Sequence, residues 1–128
     1  FACAYYPDHV PEFYEEIRRE ASAAIKRLRK HASLVGWSGN NEIQEMYEPV
    51  KKSEKPFPWY GGRLYEELLP GLVKELCPDR IYRESSPFGG EEPTSYDEEI
   101  SIPGILLTDP AGSIIWTFGD LRILTINF

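Results

Sequence analysis

The chain has little sulfur and little positive charge: two cysteines, one methionine and two histidines, with 14 Lys and Arg against 21 Asp and Glu. Cys3 and Cys77 form no CxxC pair, which excludes a disulfide framework or a cysteine-built metal site; both are expected to be reduced and buried. No apolar run approaches the ~18 residues that a spanning helix requires, so no membrane partner is expected. The net charge of −7 argues against a nucleic-acid partner, because phosphate binding needs clustered cations. The one basic cluster, Lys26-Arg27-Leu28-Arg29-Lys30-His31, falls at the end of a helical pattern, where cations favour the helix dipole. His9 and His31 stand alone and read as structural or solvent-exposed. No cofactor or metal is called for. The opening FACAYYPDH lacks the basic start and long apolar stretch of a signal peptide, and with two unpaired cysteines this favours a cytoplasmic setting.

What is present is enough apolar material for one folded domain: 128 residues, 41% hydrophobic and 13% aromatic. Phe1 to Tyr6 is apolar, stops at Pro7 and reads as a buried strand. Pro11 fits the first turn of a helix capped by Asp8 or His9. The helix then repeats Phe13, Ile17, Ala21, Ala24, Ile25 and Leu28 at helical spacing. Ser33 to Ser38 reads as a second strand. Ile43 to Val50 reads as a short helix ended by Pro49, with Asn41-Glu42-Ile43-Gln44 as a plausible capping box. Lys51 to Pro58 is a charged, proline-rich loop. Arg63 to Leu76 is helical, kinked or divided by Pro70, and Ile81 to Glu84 reads as a third strand.

Strands alternating with helices imply an α/β fold with a parallel sheet. In such folds chemistry collects at the carboxyl ends of strands. The loops YPDH, SGNNE and SSPFGG leave such ends and are expected to meet on one rim.

Four pieces in order carry a family likeness: FACAYYP at 1–7, RLRKHAS at 27–33, WSGNNE at 37–42 and Ser85-Ser86-Pro87. Together they resemble the catalytic barrel of β-mannosidases, in glycoside hydrolase family two, over roughly residues 1–97. The doubled Asn before Glu42 favours the mannosidase branch over β-galactosidases and β-glucuronidases. The resemblance implies a partial TIM (β/α)8 barrel, about strands 3 to 5 with their helices. It further implies a retaining hydrolase that removes terminal β-mannosyl residues from a β-mannoside or related oligosaccharide by double displacement.

By the same resemblance Glu42 is the general acid/base. A carboxyl held at a strand end can stay protonated through burial, protonate the departing oxygen and later deprotonate water. Asn41 matches the residue that hydrogen-bonds the sugar's 2-hydroxyl. Trp37 would wall the sugar, with Ser85 and Ser86 close by. The family's nucleophile is the Glu of a Glu-Phe-Gly motif, which this chain lacks. Neither Glu91, Glu92 nor Phe118-Gly119-Asp120 is a convincing substitute. A full barrel needs about 250 residues, so the chain reads as a fragment or a truncated product.

From Glu98 the likeness fails. The family continues with Gly-Asp-x-His-x-Trp, and one codon choice for Glu98 to Ile105, read one nucleotide out of phase, gives Gly-Asp-Leu-His-Ser-Trp-Asp. Residues 98–128 are therefore expected to be a non-matching tail produced by a frameshift or truncation. The alternative is a genuine β-rich ending, with strands at Ile102 to Thr108, Ser113 to Phe118 and Leu121 to Asn127, and a turn at Asp109 to Gly112. Such strands could extend or cover the open sheet edge. Left bare, that edge would drive self-association. Other readings are a non-catalytic sugar-binding or interaction module, and a small α/β domain in which Asn41 only caps a helix.

Overall fold

The computed structural model describes residues 4–86, 105–108, 114–118 and 121–125. Helix α1 spans Pro11–Leu28, with Pro11 in its first turn and Lys26 and Arg27 in its last. Ile17, Ala21 and Ile25 recur every four residues and are all buried, so one stripe of the helix forms the core face. Its start takes no side-chain cap. The expected cap, Asp8, instead accepts the Arg63 N–H on Oδ2 at 3.0 Å, joining the two helical regions across 55 residues of chain.

Strand β1 covers Leu34–Asn41, α2 covers Ile43–Lys51 and β2 covers Ile81–Ser86. Pro49 does not end α2. It removes one N–H, and the ladder resumes with Lys52 N–H donating to Glu48 O at 3.2 Å. Between α2 and β2 lies a π-helical turn, Leu64–Leu68, that runs directly into α3, Leu69–Leu76. Pro70 explains the widened turn. Its ring crowds the carbonyl of residue 66, and the backbone relaxes into a longer loop closed by Leu69 N–H to Leu64 O. Gly61, with φ of 91°, turns the chain into this segment where a Cβ would press on the Tyr65 ring.

β1 and β2 pair in parallel, with Trp37 opposite Tyr82, Asn40 opposite Ser85 and Asn41 opposite Ser86. The tail adds β3 (Ile105–Thr108), β4 (Ile114–Phe118) and β5 (Leu121–Thr125), making a five-stranded sheet in the order β2-β1-β5-β4-β3. β5 lies parallel to β1, while β4 runs antiparallel to both β5 and β3. The tail thus extends the sheet, as the β-rich reading anticipates. The turn expected at Asp109 to Gly112 lies outside the described residues.

The strand expected at Phe1 to Tyr6 is absent over its described residues. Ala4 to Pro7 carry no strand and Tyr5 is exposed, while Phe1 to Cys3 lie outside the described residues. The second edge of β1 is taken by β5 instead. What the structure shows is a mixed α/β sheet with a small parallel portion. Its core gathers Ile17, Ala21, Ile25, Leu34, Trp37 and Ile43 with the buried side chains of 64–77. Cys77 is free and buried, and Cys3 lies outside the described residues. No helix among the described residues is long and apolar enough to cross a membrane.

Candidate active site

β1 ends at Asn41, and Glu42 follows with φ of 61°, the one positive φ at a non-glycine residue among those described. A side chain rarely adopts this left-handed conformation, and it persists only where surrounding bonds over-determine it. Here they do. Glu42 N–H donates to Ser86 O at 2.8 Å, and Met46 N–H donates to Glu42 O at 2.9 Å as α2 begins. The first N–H of that helix, on Ile43, is met by Asn40 Oδ1 at 3.1 Å.

Glu42 thus stands at the N-cap without a side-chain cap bond, and the Asn40 amide, two residues before it, meets the first N–H of the helix. Asn40 is 0% exposed. Its Oδ1 also accepts the Ser85 hydroxyl at 2.9 Å, and its Nδ2 donates to Glu84 O at 2.7 Å. Ser38 Oγ donates to Asn40 O at 3.0 Å. These bonds tie the carboxyl ends of β1 and β2 to the start of α2. Gly39 is required beside them, because a Cβ there would overlap the Tyr82 phenol and sit 2.8 Å from Glu84 O.

Of the residues expected at the site, Asn41, Glu42, Ser85 and Ser86 come together at this end. Asn41 and Ser86 are half-buried, Ser85 is buried and Glu42 is exposed. The expectation that burial surrounds the Glu42 side chain is thus not met in this chain. Trp37 is 1% exposed and belongs to the hydrophobic core, so its ring is not presented at the rim; among the described residues its Nε1 has no hydrogen-bond partner. Asp8 serves Arg63, and His9 lies against Tyr60 at 5.5 Å. Phe88 to Gly90 lie outside the described residues.

Behind the strand ends, Tyr82 donates its hydroxyl to Tyr65 O at 2.6 Å. Burial pushes both phenols well above the ordinary tyrosine range, with Tyr6 and Asp8 adding to Tyr65, and Glu84, Tyr65 and Glu66 adding to Tyr82. Tyr65 packs in the core and Tyr82 both packs and donates a hydrogen bond; neither is a proton carrier at neutral pH. Beside α2, Tyr47 donates to Phe57 O at 2.7 Å and pins the proline-rich loop, building a group of rings: Tyr5 against Phe57 at 4.9 Å and Tyr47 against Trp59 at 4.8 Å. No cluster of His, Cys, Asp or Glu among the described residues is placed to hold a metal ion.

Sequence reasoning missed Asn40 as a site residue. The doubled Asn was legible, but its weight fell on Asn41. Strand alternation is the signal that separates them, since neighbouring residues point to opposite faces.

A structure described as β-D-mannosidase from Dictyoglomus thermophilum superimposes with a TM-score of 0.66 at 38% sequence identity, covering 77% of this chain and 12% of that one. The β-mannosidase B proteins of Aspergillus flavus and Neosartorya fischeri are each 36% identical over 105 residues, covering 74% of this chain and 12% of theirs. No family model matches the chain. These likenesses are to a segment of proteins named as β-mannosidases. The chain is a β-mannosidase-like segment that spans about 12% of the length of the curated relatives it matches.

Proposed function

We propose that the chain is the acid/base-bearing portion of a (β/α)8 barrel in a retaining exo-β-mannosidase of glycoside hydrolase family two. The observation that carries this reading is the held exit of β1: Asn41 and Glu42 leave a parallel strand beside Ser86 of the next one. In the proposed reaction Glu42 gives its proton to the glycosidic oxygen as the anomeric C–O bond breaks and a second carboxylate bonds the anomeric carbon. The Glu42 carboxylate then takes a proton from the water that displaces that carboxylate. Asn41 hydrogen-bonds the 2-hydroxyl, a contact that strengthens as positive charge builds on the ring. The mannosidase names of the relatives and the doubled Asn40-Asn41 both favour a mannoside over a galactoside or glucuronide.

The second carboxylate must stand about 5 to 5.5 Å from Glu42, and the chain has no Glu-Phe-Gly to supply it. With Glu42 also exposed, water is not excluded from the reacting centre. The isolated chain is therefore expected to release no nitrophenol from an aryl β-mannoside. Turnover that Glu42→Gln abolishes would overturn the inactivity and support the role of Glu42; turnover unchanged by Glu42→Gln would overturn that role.

A second reading, a non-catalytic saccharide-binding module, draws on the rings of Tyr5 and Phe57, both partly exposed. A sugar can lay its apolar face on such rings. Saturable heat of binding with mannobiose, lost in Phe57→Ala and without turnover, supports it; no heat rules it out.

A further inference from the structure

We propose that Asn40 is the positioning residue for Glu42, with Ser85 as its support. This deepens the acid/base reading and rests on it for its catalytic meaning. A glutamate in left-handed backbone at a strand exit is strained, and strain of this kind is kept only where neighbouring bonds leave the backbone no cheaper path. Asn40 supplies those bonds from a site with no solvent. One oxygen accepts both the Ile43 N–H and the Ser85 hydroxyl, and the amide nitrogen donates to Glu84 O. The Ile43 bond fixes the residue after Glu42. The Ser85 and Glu84 bonds fix the strand whose Ser86 carbonyl receives the Glu42 N–H. Glu42 is thus gripped from both sides by partners that Asn40 aligns, while its side chain stays exposed.

A residue that only filled space would use its amide differently. Each polar atom of the Asn40 side chain has a partner on a different piece of backbone or on a facing strand, and none of the bonds is exposed. Buried groups satisfied in this way specify one local geometry, because each alternative leaves a donor or acceptor unpaired.

The test is made on the whole chain. The backbone of Glu42 is read from its 13Cα and 13Cβ shifts, and the fold from the amide signals of Ile17, Ala21 and Ile25. Asn40→Ala is expected to abolish the left-handed signature at Glu42 while the α1 signals persist. Asn40→Asp keeps the oxygen that accepts from Ile43 and Ser85, so it is expected to retain the signature even though burying a charge lowers the melting temperature. Survival of the signature in folded Asn40→Ala, or its equal loss in Asn40→Asp, overturns the proposal.

Should Asn40→Ala not fold, Glu42→Gly decides. Glycine removes the left-handed penalty, so it is expected to raise the melting temperature less in a Ser85→Ala background, where Asn40 loses its support and residue 42 is freer to leave the left-handed region, than in the unaltered chain. Equal increments overturn the proposal. Both readouts are taken without a glycoside. Their failure overturns the positioning alone, whereas Glu42-independent turnover in the aryl mannoside assay overturns the acid/base reading alone.

Discussion

Beneath α1 and α3 the chain buries hydrocarbon: Ile17, Ala21, Ile25, Leu69, Leu72 and Val73 are closed from solvent. At the carboxyl ends of β1 and β2 it buries an amide and hydroxyls instead, on Asn40, Ser38 and Ser85. The first region is held by area removed from water, which has no preferred direction and tolerates small displacements. The second is held by bonds with fixed geometry, each costly to leave unmade. The apolar layer accounts for the chain being folded, and the polar one for the left-handed backbone at Glu42.

The largest expected effect falls on the apolar side. Ile25→Ala removes a fully buried side chain from the α1 stripe and is expected to cost about 2–5 kcal/mol in urea unfolding, with no specific change at the Glu42 amide. Asn40→Ala is expected to cost about 1–3 kcal/mol, since the Ile43 N–H and the Ser85 hydroxyl lose their acceptor. If the two variants perturb Glu42 equally, the division between the regions fails.

Alkaline pH probes the seam between them. Tyr65 and Tyr82 hold their protons more tightly folded than unfolded, so their contribution is complete below the ordinary tyrosine value of 10.0 and is lost as pH rises beyond it. Urea midpoints should fall from pH 9 to pH 11, and Tyr82→Phe should flatten that fall; a pH-independent midpoint contradicts the burial of these phenols. A smaller effect, of opposite sign, is expected for Glu42→Gly, which relieves left-handed backbone and should stabilise the chain by about 1 kcal/mol.

The two regions were also unequally legible in the sequence. The stripe Ile17, Ala21, Ile25 follows from helical periodicity, and β1 and β2 appear at nearly the expected places. Each strand runs on by two or three residues because the polar ends, Asn40-Asn41 and Ser85-Ser86, still pair. The identity of the helix cap was not legible. Periodicity does not announce that a glutamate adopts φ of 61°, and that residue, not Asn41, takes the N-cap position while Asn40 meets the first helical N–H. Nor was the partner of β1. Apolar runs show that strands exist in the tail, but parallel pairing of β5 with β1 joins residues as far apart as Leu34 and Arg122, a choice made by packing rather than local pattern. Family likeness supplied what periodicity could not, an expected role for Asn41 and Glu42, and it also expected Trp37 beside the sugar, where this chain buries the ring in its core.

The central claim is that this chain carries a held acid/base glutamate without its partner carboxylate. Nitrophenol release from an aryl β-mannoside tests it most directly, comparing the unaltered chain with Glu42→Gln. Rates equal to buffer in both are predicted. Turnover in the unaltered chain that disappears in Glu42→Gln would contradict the claim, because it would require a nucleophile within these 128 residues.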